Sequence, residues 1–178
     1  MFLLRMLTKK RQRDMDPLHV SMTGVRMGER FLQIGCSDRA LLSGLAAKVG
    51  LSGSAAVAAH SDADAKLAAS IARKVGALIE VTQVDLNHDW PFDQAACDMI
   101  VIDDTASEFW GFDDVTAVLR NALGSVRPGG RIEVVTKIAT PHEPVDFVAR
   151  LMEAGFKPVR VLAERDGFRF IEGLRPHS

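Results

Sequence analysis

From Phe31 onward, short apolar runs alternate with stripes of helical spacing, and this alternation constrains the fold more than any other feature of the chain. Phe31, Leu32 and Ile34 form the first run. Leu41, Leu45 and Val49 then recur every fourth residue until Gly50 stops the pattern. A second unit repeats the theme with SAAVAA at 54–59, Asp62 as a cap, and Leu67, Ile71 and Val75 as the helical stripe before Gly76. Ile79, Val81 and Val84 mark a third strand. MIVI at 99–102 is apolar throughout, the mark of a strand covered on both faces.

The face formed by Val115, Val118, Leu119, Ala122, Leu123 and Val126 predicts another helix, ending at RPGG, where Pro128 and Gly129 suit the central positions of a type II turn. RIEVVTK reads as strand five. One more helix, carrying Val145, Val148 and Met152, closes at Gly155. FKPVRVLAE and FRFIEG then meet around Asp166-Gly167, a strong hairpin signal. Alternating strands and helices imply a parallel sheet with right-handed crossovers. The fold class is therefore α/β: a three-layer, doubly wound, mostly parallel sheet with an antiparallel C-terminal hairpin strand.

At 178 residues the chain has room for one ordinary domain. The first 25 residues hold five basic side chains and no periodicity, so residues 1–27 read as an N-terminal basic arm or short helix and 28–178 as the domain. Net charge −1 gives no global reason to bind nucleic acid or acidic lipid, and Trp90, Trp110 and the phenylalanines do not alternate with basic residues. Met1 to Leu7 is interrupted by Arg5 and is followed, not preceded, by KKRQR, the reverse of a secretory signal. With no run of membrane-spanning length, the expected compartment is cytoplasmic. Cys36 ends strand one and Cys97 begins strand four, so neighbouring parallel strands would hold them about 15 Å apart, too far for a disulfide.

Open parallel sheets bind ligands outside the C-terminal strand ends, where chain order reverses. That rule selects Gly35 to Arg39, Ala59 to Asp62, Asp85 to His88 and Asp103 to Thr105. Zinc spacing with paired histidines, a P-loop and a G-x-S-x-G elbow are all missing from the sequence, and no G-x-G-x-x-G supports a nicotinamide cofactor.

The succession GERFLQIG, Pro91-Phe92, CDMIVIDD, LGSVRPGGRIEVV, EAGF and ERDGFRFIEG resembles the class I S-adenosylmethionine-dependent methyltransferases from Gly28 to Gly173. The resemblance implies S-adenosylmethionine as cofactor, with its methionine end on the loop Gly35, Cys36, Ser37 and Asp38, and its adenine near Asp85 and Leu86. Asp85 either accepts from the adenine amino group or caps the next turn. His60 either stacks on adenine or is a plain surface residue.

Two features depart from the family pattern. The loop carries Ser37 and Arg39 where the family has glycines, so Arg39 blocks the pocket if it turns inward and is harmless if it turns outward. Ala59 stands at the ribose position, where the family has a carboxylate, unless Asp62 or Asp64 reaches back. Asp38 would repel a pyrophosphate but not a sulfonium or an ammonium, or it serves only the dipole of the following helix. Asp103 is the candidate catalytic residue, orienting or deprotonating the acceptor, with helix capping as its alternative. FWGF at 109–112 is either a substrate lid or loop packing. Together these readings predict methyl transfer to a small-molecule acceptor, or a binding or scaffold module that has kept the fold and lost catalysis.

Overall fold

The computed structural model describes residues 16–75, 78–88, 90–107, 114–138 and 145–178. In chain order its elements are α1 (Pro17–Met22), β1 (Arg30–Ile34), α2 (Arg39–Val49), β2 (Ser54–Ala59), α3 (Asp62–Val75), β3 (Ile79–Gln83), β4 (Cys97–Asp104), α4 (Val115–Ser125), β5 (Val126–Lys137), α5 (Phe147–Ala154), β6 (Val159–Arg165) and β7 (Phe168–Leu174). One seven-stranded sheet has the order β3-β2-β1-β4-β5-β7-β6. β1 to β5 run parallel, while β7 is antiparallel to both β5 and β6. This is the doubly wound sheet with a reversed hairpin that the alternation predicts.

Side-chain alternation along the strands divides the core between two faces. α1, α2 and α3 cover one face, where Val20, Leu41, Leu45, Ala68 and Ile71 meet Phe31, Val57, Met99 and Val101. α4 and α5 cover the other, where Leu119, Ala122, Phe147 and Leu151 meet Leu32, Ile34, Ile100, Ile102 and Val134. Cys36 packs in the first layer and Cys97 in the second, both as free thiols. Asp166 and Gly167 take positive φ values of 53° and 85°, as a tight hairpin turn requires.

Some expectations are sharpened and others corrected. Segment 1–27, expected as a basic arm or short helix, contains the short helix α1, which packs against α2: Val20 is in the core, and a Cβ on Gly44 of α2 would lie 2.6 Å from Val20 Cγ2. Asp16 caps α1, and His19 meets Phe168 edge-on and stacks on Phe170 while reaching Asp166 at 3.1 Å. α5 buries Phe147, Leu151 and Ala154, and the expected stripe residue Met152 faces solvent. Asp62 does not cap α3. Ser61 Oγ accepts from the Asp64 N–H instead, at 3.1 Å. RPGG makes its turn inside β5: Gly129 takes φ +72°, as a type II turn requires, the pairing with β4 jumps across it from Cys97–Val126 to Met99–Arg131, and Gly129 and Gly130 exchange backbone hydrogen bonds with Arg175.

Two polar side chains lie in the first apolar layer. Gln33, Val101, Glu133, Glu172 and Arg160 occupy one row across β1, β4, β5, β7 and β6. Gln33 and Glu133 are fully buried, and neither Glu133 oxygen has a hydrogen-bond partner. Burial, with the neighbouring Glu172 charge added, pushes the Glu133 carboxyl well above the usual glutamate range, so the folded chain holds it protonated. Its stabilising contribution is complete below the unfolded value near 4.5 and is lost as pH rises toward the folded one. Thermal melts should therefore show Glu133→Gln matching the parent at pH 4 and exceeding it at pH 8. Arg175 donates through Nη1 to the Leu123, Gly124 and Val126 carbonyls at the end of α4. Replacing it with alanine should cost about 1–3 kcal/mol in urea titrations, because these carbonyls lose a charged donor.

Candidate functional site

The sheet order reverses between β1 and β4, and the chain leaves β1 there through Gly35. Gly35 has φ +77°, and a Cβ on it would lie 3.2 Å from the Asp103 carbonyl and 3.9 Å from the His60 ring. Glycine is required on both counts. The next three residues divide their tasks. Cys36 turns its side chain into the core, where burial pushes its thiol up to about 12. Ser37 and Asp38 direct their N–H groups at one oxygen of Asp103, each at 2.8 Å. Asp38 then caps α2 by accepting from the Leu41 N–H at 2.9 Å.

Asp103 is fully engaged. Its second oxygen accepts from the Thr105 N–H at 3.2 Å and from the Thr105 hydroxyl at 2.6 Å. Burial pushes the carboxyl upward, and these donors oppose that by favouring its charged form. A carboxylate so occupied anchors a loop and has little capacity to take a proton from a substrate. Asp104 points elsewhere, accepting from the Thr136 hydroxyl at 2.8 Å. Arg39 turns outward, and its guanidinium donates to Ser70 on α3 at 3.2 Å.

One strand over, a cavity of about 440 Å³ opens at the C-terminal ends of β2 and β3, lined by His60, Gln83, Val84, Asp85, Leu86 and Asn87. His60 and Asp85, which are 25 positions apart, meet here. Leu86 contributes backbone, because its side chain is in the core beneath. Asp85 accepts from the Asn87 N–H at 3.0 Å and lies 2.9 Å from the His88 ring. The Asn87 N–H, with help from His88, holds its carboxyl below the usual aspartate range. Asp85 is therefore ionised at neutral pH, and it caps its own turn at the cavity rim.

The sequence reading had not found the support for His60. Its Nδ1 lies 2.6 Å from Oδ2 of the buried Asp64, four residues further along in the first turn of α3. Asp62 instead accepts from the Gln83 amide at 3.0 Å. Neither aspartate carboxylate stands in directly at Ala59, but Asp64 reaches the cavity wall through the imidazole. The i, i+4 spacing was the available signal. FWGF at 109–112 and the basic residues of the arm before Asp16 lie outside the described residues.

Comparison with solved structures accords with this geometry. A SAM-dependent methyltransferase from Aquifex aeolicus superposes with a TM-score of 0.75 at 20% identity, over 90% of this chain and 89% of that one. A SAM-dependent O-methyltransferase from Thermotoga maritima gives 0.68 at 16% identity, over 94% and 68%. The [4+2]-cyclase SpnF gives 0.70 at 14% identity, over 91% and 81%. No protein-family profile and no curated protein sequence matches the chain.

Asp103→Ala should remove the acceptor that the two loop N–H groups share. Hydrogen exchange should show the Ser37 and Asp38 amides losing about tenfold or more of their protection, while the β4 amides around Ile100 hold theirs. The chain has the class I S-adenosylmethionine-dependent methyltransferase fold.

Proposed function

We propose that this protein binds S-adenosylmethionine at the C-terminal rim of the sheet and transfers its methyl group to a small-molecule acceptor in the cytoplasm. The observation that carries the reading is the cavity between His60 and Asp85, beside the close approach of Gly35 to β4. Its volume of about 440 Å³ lies within the range of small-ligand sites.

The residues present fit such a group. Asp85, ionised at the rim, is an acceptor for an exocyclic amine. His60, braced by Asp64, offers an aromatic face or a ring nitrogen to the nucleoside. Gly35 leaves room above the strand end. Asp38 and Asp103 give the loop side negative character, which favours a sulfonium or an ammonium over a phosphate. When bound, the cofactor supplies an electrophilic methyl on a good leaving group. The remaining task of the chain is alignment, and Asp103 acts as a positioning residue that fixes the loop.

A second reading, a binding or scaffold module without catalysis, draws on a specific observation. The Ser37 and Asp38 N–H groups that a ligand carboxylate could use already bond Asp103. Calorimetry with S-adenosylhomocysteine separates the function from the bare fold. Saturable binding is expected, weakened roughly tenfold or more by Asp85→Ala through loss of a charge-assisted hydrogen bond. His60→Ala should weaken it too. Absence of heat at millimolar ligand would defeat the reading, whereas binding without methyl transfer to any acceptor would favour the module.

A further inference from the structure

The opposite edge of the sheet, where β1, β2 and β3 begin, carries a feature that the cleft does not explain. Leu51, Leu78 and Met27 are 102%, 95% and 80% exposed, on the loops that lead into β2, β3 and β1. The loops are neighbours: the Gly28 N–H donates to the Val49 carbonyl at 2.9 Å, and the Ser54 N–H to the Glu29 carbonyl at 3.1 Å. Between Leu51 and Leu78 lies a groove of about 380 Å³, floored by Ala46, Val49, Ala55 and Val75. Fully exposed leucines stabilise nothing in the isolated chain, and grouped on one edge they mark a surface that meets something apolar.

Charge identifies what that is. The stretches 40–61 and 65–79, which build the groove, contain no aspartate or glutamate, yet they place Lys48, Arg73 and Lys74 in the last turns of α2 and α3. Arg26 is exposed beside Met27. These cations complement the helix C-termini, but that role gives no reason for leucine at the loop tips. The largest apolar side chains stand at the tips of the loops, not on the floor of the groove. A bilayer accepts three protruding side chains without needing a matched shape, and cations around them meet lipid phosphate and serine headgroups.

We infer that this edge is a docking surface for an anionic phospholipid bilayer. Leu51, Leu78 and Met27 enter the interfacial region, and Lys48, Arg73, Lys74 and Arg26 face the headgroups. The cofactor cleft, at the other ends of the same strands, stays open to the aqueous side. This inference does not rest on the proposed methyl transfer.

Sedimentation of the full chain with vesicles tests it. Vesicles of phosphatidylcholine and phosphatidylserine should pull the protein down at low salt, and vesicles of phosphatidylcholine alone should not. Raising the salt should release it, because the Debye length shrinks from about 10 Å at 0.1 M to about 3 Å at 1 M. The pair Leu51→Asp and Leu78→Asp should lower partitioning about tenfold or more. Both positions are exposed, so melting temperature and S-adenosylhomocysteine affinity should hold. Failure to sediment with either vesicle would overturn the inference. So would binding that survives the leucine changes but is lost when Lys9, Lys10, Arg11 and Arg13 become glutamine, since the arm would then be the binding element. A dimer in analytical ultracentrifugation that Leu51→Asp separates would assign the edge to a second copy instead.

Discussion

A single carboxylate ties the sheet to its cleft. Asp103, the penultimate residue of β4, a strand buried along nearly its whole length, holds the N–H groups of Ser37 and Asp38 at 2.8 Å. Helix N-termini leave donors that attract anions, and here the protein supplies the anion itself. The bonds hold the β1 loop against β4, where Gly35 takes φ +77° and a Cβ would come within 3.2 Å of the Asp103 carbonyl, and they set the point from which α2 departs. Burying that charge is tolerable because Thr105 adds two more donors. A loop fixed in this way needs little further ordering when a ligand arrives.

The elements that could be read from the sequence are those whose periodicity persists. The apolar run of β4, the stripes of α2 and α3 and the Asp166-Gly167 hairpin each repeat a local rule several times. α1 could not be read this way, because its six residues are too few for a pattern. Its helix depends on a capping box between Asp16 and His19 and on a seat against Phe168 and Phe170, which are distant in sequence. α5 is short as well: a stripe of eight residues can be drawn through Met152 almost as well as through Leu151, and only packing distinguishes them. Gln33 and Glu133 look like ordinary solvent-facing alternations until a helical layer is laid over them.

The site divides along the same line. The rule that ligands bind beyond strand ends selects Gly35, His60, Asp85 and Asp103 from sequence order alone. It does not say which of them touch. Asp103 reaches a loop 65 and 66 positions away, a separation invisible to any local pattern. Its place at the end of strand four suggested orienting or deprotonating an acceptor, or capping; in the fold its hydrogen bonds run to Ser37, Asp38 and Thr105. Arg39 shows the converse. Its bulk at a glycine position looks prohibitive in the sequence, yet the first turn of α2 aims it at Ser70 and away from the loop.

The fold does not decide the chemistry, since the same architecture serves methyltransferases and a cyclase. What separates them must lie in the residues at the rim. Here Ala59 removes the carboxylate that the resemblance would put at the ribose, while Asp64, four residues beyond His60, lies behind the imidazole. An aspartate at the rim would accept two hydroxyl groups at once, whereas an imidazole offers at most one ring acceptor. Under the proposed function, recognition of a nucleoside would then depend less on the diol and more on the ring faces and on Asp85, and the adenine end of the cavity would be the part of the site on which affinity turns.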